Sequence, residues 1–175
     1  MPDSELIIRY GQLADAAILA YFGEQCFRAR YGPENKSEDL EAYVYEAFSA
    51  EHVSAEFADP KAIFLLGHVG EDLVVYAKLL SHKPPEGVGG KKPVELERLY
   101  TAPTHIGEGF GSEMLDFAME EARHQGFDMM WLDVWEHNDE AIRFYARHGF
   151  EECGTCTFTL GDDKQTNTVM CRRVD

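Results

Sequence analysis

Hydrophobic and polar residues alternate along this chain with a period that changes from one segment to the next. In the first third, apolar residues recur every three or four positions, which is the spacing of one buried helix face. After a short first strand, we therefore predict helices at about 12–30, 37–48 and 51–58. The second of these begins with a serine and two acidic residues, which favour the positive end of a helix dipole.

The remaining two thirds of the chain carry strand-like runs that are interrupted by two further helices. Apolar runs at 62–69 and 73–80 flank a short polar turn, a pattern typical of an antiparallel hairpin. The run MMWLDVW at 129–135 is almost continuously apolar, as in a strand buried on both faces. The other predicted elements are strands at 94–101, 150–159 and 167–174, and helices from near Gly109 to Gly126 and from Asp139 to His148. With no repeat and no linker, residues 1–175 are predicted to form a single α/β domain.

Composition and charge exclude several classes of partner. With 45% hydrophobic residues in 175 positions, the chain is long and apolar enough to bury a core of its own. It carries 16 basic and 32 acidic residues, a formal charge of −16, which argues against nucleic acid and anionic membranes as partners. An acidic surface suits a cationic substrate, and it serves solubility equally well.

The sequence carries no transmembrane or secretory signal. No window contains about 18 consecutive apolar residues, and MPDSELIIRYG has too short an apolar run for a signal peptide. The four cysteines include a C-x-x-C pair, Cys153 and Cys156, which lies between β-rich segments and has no second pair. We therefore predict a cytoplasmic protein with structural cysteines. The histidines show no metal-ligand spacing, so we predict no metal.

The segment APTHIGEGFGSEML holds three alternating glycines, Gly107, Gly109 and Gly111, directly before a predicted helix. It is not a Walker loop, because no Lys-Ser/Thr follows, and Ser112 stands where a dinucleotide fingerprint has its third glycine. Without Cβ atoms, successive backbone N–H groups can converge on one point, beside the positive end of the helix. The segment indicates either a diphosphate-binding loop or a tight turn without a ligand.

A second segment, HNDEAIRFYARHGF at 137–150, makes this loop part of a larger pattern. A strand ending LYTAP, the loop IGEGFG, the strand WLDVW and the sequence N-x-x-A-x-x-F-Y-x-x-x-G-F together resemble the GNAT superfamily of acetyl-CoA-dependent N-acetyltransferases. From about Ile7 to Arg173, the chain is similar to bacterial spermidine/spermine N-acetyltransferases of the PaiA type. The resemblance implies a GNAT fold with a mixed central sheet of about six to seven strands, helices on both faces, and a splay between the strands at 94–101 and 128–134.

The resemblance also implies which residues hold acetyl-CoA as co-substrate. Backbone groups of Leu99 to Thr101 would pair with the pantetheine arm, and backbone N–H groups from Ile106 to Gly111 would cradle the pyrophosphate. Asn138 would approach the pantetheine, and Tyr145 would lie beside the thioester sulfur. The residues expected at the cofactor are Leu99, Tyr100, Thr101, Ile106, Gly107, Glu108, Gly109, Phe110, Gly111, Asn138, Ala141 and Tyr145.

Four residues depart from the family pattern. Ile106 stands where relatives usually carry Gln or Arg, and Glu108 where they often carry Lys or Arg. Both changes remove donor or positive character near three phosphates, so we expect weaker CoA binding, carried mainly by backbone N–H groups. Val75, in place of a frequent Gly, and Asn167, in place of a usual Asp, bear on the choice of acceptor.

Amide formation from a thioester needs a neutral amine and a proton for the leaving thiolate. An alkylamine is mostly charged at pH 7, and a carboxylate can accept its proton directly or through water. Period 2 in VELERLYT predicts one strand face that carries Glu95, Glu97, Leu99 and Thr101. Many relatives keep an acidic residue at the position of Glu95, so we predict it as the base and Glu97 second, although a solvated strand face gives the same sequence.

Tyr145 is the predicted proton donor to the thiolate. A phenol with a pKa near ~10 is nearly matched to a thiol with a pKa near ~8.5, so the transfer needs little driving force. A tyrosine on a helix is more often part of the core, and its place in FYARHGF is what favours the catalytic role.

The sequence leaves the amine acceptor open. Aromatic residues Phe27, Tyr31 and Tyr43 and the nearby acidic residues Glu38, Asp39 and Glu41 would suit a polyamine, and a solvated amphipathic helix has the same pattern. We expect direct attack by a small primary amine in a ternary complex, with a polyamine first. The alternatives are an arylamine, an aminoglycoside or a protein amine as acceptor, and a CoA-binding regulatory module without catalysis. Homodimer formation also stays open.

Overall fold

The computed structural model describes residues 5–175, which form one sheet and five α-helices. The strands are β1 (Leu6–Tyr10), β2 (Ala62–Val69), β3 (Asp72–Leu80), β4 (Pro93–Thr101), β5 (Met129–Trp135), β6 (Glu151–Leu160) and β7 (Asp163–Arg173). The helices are α1 (Ala16–Tyr31), α2 (Ser37–Ala47), α3 (Ala50–Phe57), α4 (Phe110–His124) and α5 (Asp139–Arg147). Within these residues, no helix combines the length and apolarity needed to span a bilayer.

The seven strands lie in the order β1-β2-β3-β4-β5-β7-β6. Neighbouring strands are antiparallel except β4 and β5, which are parallel. The crossover between these two strands is α4, because parallel strands need a long connection whereas antiparallel strands are joined by short turns. The predicted α/β class and the mixed sheet of six to seven strands are confirmed.

Helices cover both faces of the sheet, as predicted. On one face, Met114 and Leu115 of α4 are fully buried in the largest apolar cluster, and residues of α5 pack against its edge. On the other face, Leu19 of α1 and Val53 of α3 pack on β2 and β3, while α2 packs near the end of β6. The sheet is therefore the middle layer of three, and its strand ends are the surfaces on which a site can form.

The parallel strands β4 and β5 are joined over a very short length. Their pairing is Pro93 with Met129, Val94 with Met130, and Glu95 with Trp131. Beyond Glu95, β4 keeps β3 as its partner on one side, and the side that faces β5 makes no further pairs within residues 5–175. This is the predicted splay, and it leaves backbone N–H and C=O groups of β4 available to a ligand.

A β-bulge at Glu97 changes which residues of β4 share a face. In the register with β3, Arg98 lies opposite Lys78 and Leu96 lies opposite Leu79, so Glu97 is the additional residue. Glu97 and Arg98 consequently point to the same side, where both approach the charged residues Lys78 and Glu56.

The predicted alternation along β4 is therefore wrong after the bulge. Leu99 packs in the same apolar cluster as Leu96, on the α4 side of the sheet. The hydroxyl of Thr101 also faces this side, because a Cβ added to Gly111 at the start of α4 would lie 3.3 Å from it. Glu95 and Glu97 do not share a face with Leu99 and Thr101.

The final hairpin is tighter than the sequence predicts. β7 begins at Asp163 instead of near 167, and Leu160 pairs with Asp163 across a turn of two residues. The polar sequence LGDDKQ suggests a loop of six residues, but its second half alternates in and out of the sheet as strand. The predicted hairpin at 62–69 and 73–80 agrees with β2 and β3 to within one residue.

Candidate active site

A cavity of about 570 Å³ lies where β4 and β5 part. Its walls come from the diverging strand ends, the glycine loop with the first turn of α4, the helix α5, and aromatic residues of α1 and α2. Every residue predicted to hold the cofactor lines this cavity except Glu108, whose side chain is exposed outside it. The splay of the sheet therefore brings together segments that are far apart in the sequence.

The glycine loop forms the first wall of the cavity. Gly107 and Gly109 have φ of +90° and +92°, a conformation that glycine adopts without strain. Within residues 5–175, no side chain caps α4, so its first N–H groups are free to bind a ligand. An uncapped helix start with open space above its glycines fits an anionic diphosphate, so the loop can hold the phosphates of CoA.

Helix α5 forms the opposite wall of the cavity through Ala141, Phe144 and Tyr145. Tyr145 is half-buried against the edge of the main core, and its ring packs against Phe150. Burial raises the pKa of the Tyr145 phenol, with a smaller contribution from Tyr31. The phenol therefore remains protonated at neutral pH and can donate a hydrogen bond into the cavity.

Asn138 has a structural role in addition to its place on the cavity wall. Its Oδ1 accepts hydrogen bonds from the backbone N–H of Ala141 (3.2 Å) and from Nη2 of Arg30 (2.6 Å). Its Nδ2 donates to the hydroxyl of Tyr31 at 3.3 Å. Asn138 thus caps α5 and ties it to α1, and both its polar atoms are already in use.

The two predicted glutamates occupy different positions. Glu97 lines the cavity, and its Oε2 lies 2.5 Å from Nζ of the buried Lys78. Glu95 does not line the cavity, and Nε2 of His82 is 2.5 Å from its Oε2. Burial raises the pKa of Glu95 to about 7, with the charges of Glu97 and Asp133 adding to the increase and the contact with His82 opposing it.

Cys26 of α1 also lines the cavity, and sequence reasoning did not find it. Its side chain is 8% exposed, and its Sγ donates to the carbonyl oxygen of Thr101 at 3.4 Å. Burial raises the pKa of this thiol to about 12, so it is protonated at neutral pH. A buried thiol in this state is a poor nucleophile.

The side of the cavity towards α1 and α2 is aromatic, as predicted. Phe27, Tyr31 and Tyr43 line it, with the rings of Phe27 and Tyr43 stacked at 4.6 Å. The three acidic residues predicted beside them lie outside the cavity. Glu41 pairs with Arg28 on the surface, Asp39 accepts from the backbone of the last hairpin, and Glu38 is exposed on α2.

Asp133 of β5, whose orientation the sequence leaves undecided, places a carboxylate in the cavity near the aromatic wall. Its Oδ2 accepts from Nδ2 of Asn167 at 3.0 Å and from Sγ of Cys156 at 3.4 Å. The pairing of β5 with β7 brings Asp133 and Asn167 together across 34 positions of sequence. In the sequence, this position is marked only by an aspartate within the otherwise apolar strand MMWLDVW.

Three arginines that sequence reasoning missed line the cavity: Arg30, Arg98 and Arg147. Arg30 is held by Asn138, and Arg98 is 9% exposed with its Nη2 3.0 Å from Oε1 of Glu56. Arg98 lies here because of the bulge at Glu97, which is defined by the register of β4 with β3. Within residues 5–175, no group of three or more His, Cys, Asp or Glu side chains is arranged around a metal position.

Comparisons with known proteins agree with this geometry. A family model described as "Acetyltransferase (GNAT) family" matches residues 24–150. The chain is 29% identical over 146 residues, 83% of its length and 84% of the other's, to "Uncharacterized N-acetyltransferase in pepI 3'region" from Lactobacillus delbrueckii subsp. lactis. Its fold is similar to the PaiA N-acetyltransferase of Thermoplasma acidophilum in complex with coenzyme A, with a TM-score of 0.78, 20% identity and coverage of 97% and 99%. It is also similar to YncA of Salmonella typhimurium, a putative acetyltransferase solved with acetyl-CoA, with a TM-score of 0.73, 19% identity and coverage of 98% and 95%.

Proposed function

Because the chain belongs to the acetyltransferase (GNAT) family, we propose that it transfers the acetyl group of acetyl-CoA to a small cationic primary amine by direct attack. Family membership makes it an acetyl-CoA-dependent N-acetyltransferase, and the acceptor class and the mode of attack are the proposal. The main support for this proposal is the splay between β4 and β5. It forms one cavity with the glycine loop on one side and an aromatic, acidic wall on the other.

Acetyl-CoA supplies an activated acetyl thioester when it is bound. The loop from Ile106 to Gly111 would hold its phosphates through backbone N–H groups, and the open edge of β4 near Leu99 would hold its pantetheine arm. The exposed Glu108 adds negative charge beside the loop, which supports the expectation of modest affinity for CoA.

Direct attack is favoured over an acetylated enzyme because the one cysteine of residues 5–175 that lines the cavity is not activated as a nucleophile. The thiol that lines it, Cys26, is protonated and donates to a backbone carbonyl. Initial-rate measurements at varied acetyl-CoA and amine test this point. Intersecting double-reciprocal lines are expected for a ternary complex, and parallel lines would contradict direct attack.

We assign acceptance of the amine proton to the two glutamates of β4. Glu97 lies on the cavity wall, and Glu95, with a pKa of about 7, stands two residues before it on β4. A carboxylate with a pKa near the working pH is well matched to general-base catalysis. Glu95 is the first candidate for the general base, with water carrying the proton to it, and Glu97 is the second candidate.

Tyr145 is assigned as the donor to the leaving sulfur. It lines the cavity on the α5 side, and within residues 5–175 its hydroxyl donates no side-chain hydrogen bond that would compete. Because its pKa is raised, the Tyr145 phenol is a weak acid, and its proposed role is to stabilise the thiolate by donating a hydrogen bond. A phenylalanine at this position keeps the aromatic ring and its packing and removes only the hydroxyl donor.

The experiment is thiol release from acetyl-CoA with a panel of amines, for the wild type and Tyr145→Phe. We expect the highest kcat/KM with polyamines, and a fall in kcat of about 10²-fold or more in the variant with little change in affinity for acetyl-CoA. Tyr21→Phe is the matched control, because Tyr21 is 65% exposed on α1 and lies away from the cavity. Highest turnover with an arylamine, an aminoglycoside or a peptide amine would contradict the acceptor class, and an equal loss of acetyl-CoA affinity would make Tyr145 structural.

We also propose a cytoplasmic location. All four cysteines are free thiols, including Cys153 and Cys171 on adjacent strands, and this state suits a reducing compartment. Fractionation of the source cells with an antibody to the protein tests it, and recovery outside the cytoplasmic fraction would contradict it.

A further inference from the structure

The acceptor side of the cavity contains a pair of polar residues with unused acceptor atoms, Asp133 and Asn167. Asp133 lies on the face of β5 that also carries Trp131 and Trp135, towards α1, whereas Leu132 and Val134 face the main core. Both Asp133 and Asn167 line the cavity. The two hydrogen bonds that reach Asp133, from Asn167 and from Cys156, both end on Oδ2.

The hydrogen bond between these residues fixes the orientation of the Asn167 amide. An ionised carboxylate can only accept, so the amide must present its Nδ2 to Asp133 and turn its Oδ1 away. Asn167 is 6% exposed, and no donor within residues 5–175 reaches its Oδ1. Buried acceptors are rarely left without a donor, so this atom points to a ligand that brings one.

We propose that Asp133 and Asn167 form a subsite for a second, unreacting ammonium group, so that the acceptor is a diamine or a longer polyamine. The inference rests on the proposed transfer to an amine and adds the residues that select the acceptor. An alkylammonium group carries three donors and no acceptor, which matches a pair that offers carboxylate and amide oxygens.

The surroundings of the pair also suit a cation. Two arginines on this part of the wall have carboxylate or amide partners: Arg98 pairs with Glu56, and Arg30 binds Asn138 and Glu34, with its guanidinium carbon 5.7 Å from the centre of the Tyr31 ring. Burial raises the pKa of the Tyr31 and Tyr43 phenols, and the charge of Asp133 adds a smaller contribution to both, so both rings lie near this carboxylate. Aromatic faces beside a carboxylate stabilise a bound ammonium group further.

The subsite holds the unreacting amino group because it favours the charged form. A carboxylate and a carbonyl oxygen both raise the pKa of an amine that they bind. The attacking amine must be neutral, so it has to lie elsewhere, at the splay beside Leu99 and Tyr145. Two amino groups on one acceptor satisfy both requirements, and a monoamine satisfies only one.

The experiment compares 1,4-diaminobutane with butylamine, in wild type, Asp133→Asn, Asn167→Leu and the control Asp116→Asn. Asp116 is exposed on α4 and lies outside the cavity, so its variant makes the same charge change away from the subsite. We expect kcat/KM of the wild type to be at least about tenfold higher for the diamine, because one hydrogen bond to a charged group is worth that ratio. This ratio should fall towards one in both subsite variants and persist in the control.

Calorimetric titration of 1,4-diaminobutane into the CoA complex provides a readout that needs no turnover. We expect binding by the wild type and at least about tenfold weaker binding by Asp133→Asn, with thermal unfolding checking that each variant is folded. Equal kcat/KM for diamine and monoamine in the wild type, or a preference that survives in both subsite variants, would overturn the inference and leave the transferase standing. Diamine binding that depends on Asp133 without acetylation of any amine would support the subsite and contradict the proposed function.

Discussion

Replacing Gly109 by alanine tests whether the glycine loop is shaped for a ligand or only for a turn. Gly109 precedes α4 with φ of +92° and ψ of −4°. A Cβ built there meets no atom of residues 5–175 within 4 Å, so the cost of the change is conformational and not steric. An alanine held in this region costs about 1–2 kcal/mol. For a domain of this size, that loss lowers the melting temperature by about 2–8 °C.

The effect on acetyl-CoA is expected to exceed the effect on stability. The new Cβ would stand in the open space above the uncapped start of α4, where the phosphates are expected to lie. Any relaxation that relieves the backbone would also turn the N–H groups of this turn away from a common point. We therefore expect the dissociation constant of CoA to rise at least about tenfold, which corresponds to about 1.4 kcal/mol of binding energy.

Gly70→Ala is the matched control for this change. Gly70 lies in the turn between β2 and β3 with φ of +61°, and a Cβ there also meets no atom of the described residues within 4 Å. It should lose a similar free energy of unfolding and keep its affinity for CoA. Urea unfolding and calorimetric titration with CoA measure the two quantities, and unchanged CoA affinity in Gly109→Ala would show that the glycine serves only the turn.

Two further predictions concern buried charges. Glu56→Gln should lower the free energy of unfolding by about 3 kcal/mol or more, because it removes the carboxylate of Arg98, which is 9% exposed, and leaves the buried Lys78 with Glu97 alone. Urea unfolding measures it against Glu51→Gln, an exposed change on the same helix, and a loss below about 1 kcal/mol would contradict the assignment. Glu95 has a folded-state pKa raised to about 7 from an ordinary 4.5, so the stability it contributes is fully present below pH 4.5 and is lost as pH rises through 7. Glu95→Gln should therefore become more stable relative to the wild type between pH 5 and pH 8, and a difference that does not change with pH in urea unfolding would refute the cause given for the shift.

Most of the helices and strands could be predicted from the sequence, because the spacing of apolar residues within one element depends only on neighbouring positions. The hairpin of β2 and β3 and the helix α4 follow from runs of apolar residues and from their breaks. The bulge at Glu97 does not follow, because one additional residue in a strand is defined by its partner, and Lys78 is 19 positions away. A period of two applied through it assigns Leu99 and Thr101 to the wrong face.

The donor side of the site could be predicted more completely than the acceptor side. The glycine loop and the start of α5 are contiguous motifs, so their residues are found together in the sequence. The acceptor wall is assembled by long-range pairing, with Arg30 meeting Asn138 over 108 positions and Asp133 meeting Asn167 over 34. Acidic residues near the aromatic positions of α1 and α2 were therefore chosen wrongly, while the carboxylate that lies near them in the cavity comes from β5.

The three-residue pairing of β4 with β5 makes catalytic competence a property of the assembled chain. The half of the sheet from β1 to β4, with its hairpins and α4, supplies the phosphate loop and the glutamates, and the half from β5 to β7, with α5, supplies Tyr145 and Asp133. Neither half contains the whole of the proposed site, and during synthesis the first half is complete before β5 has been made. During refolding, acetyltransferase activity should therefore appear only when the two halves have paired. A species in which only one half is folded should show no thiol release.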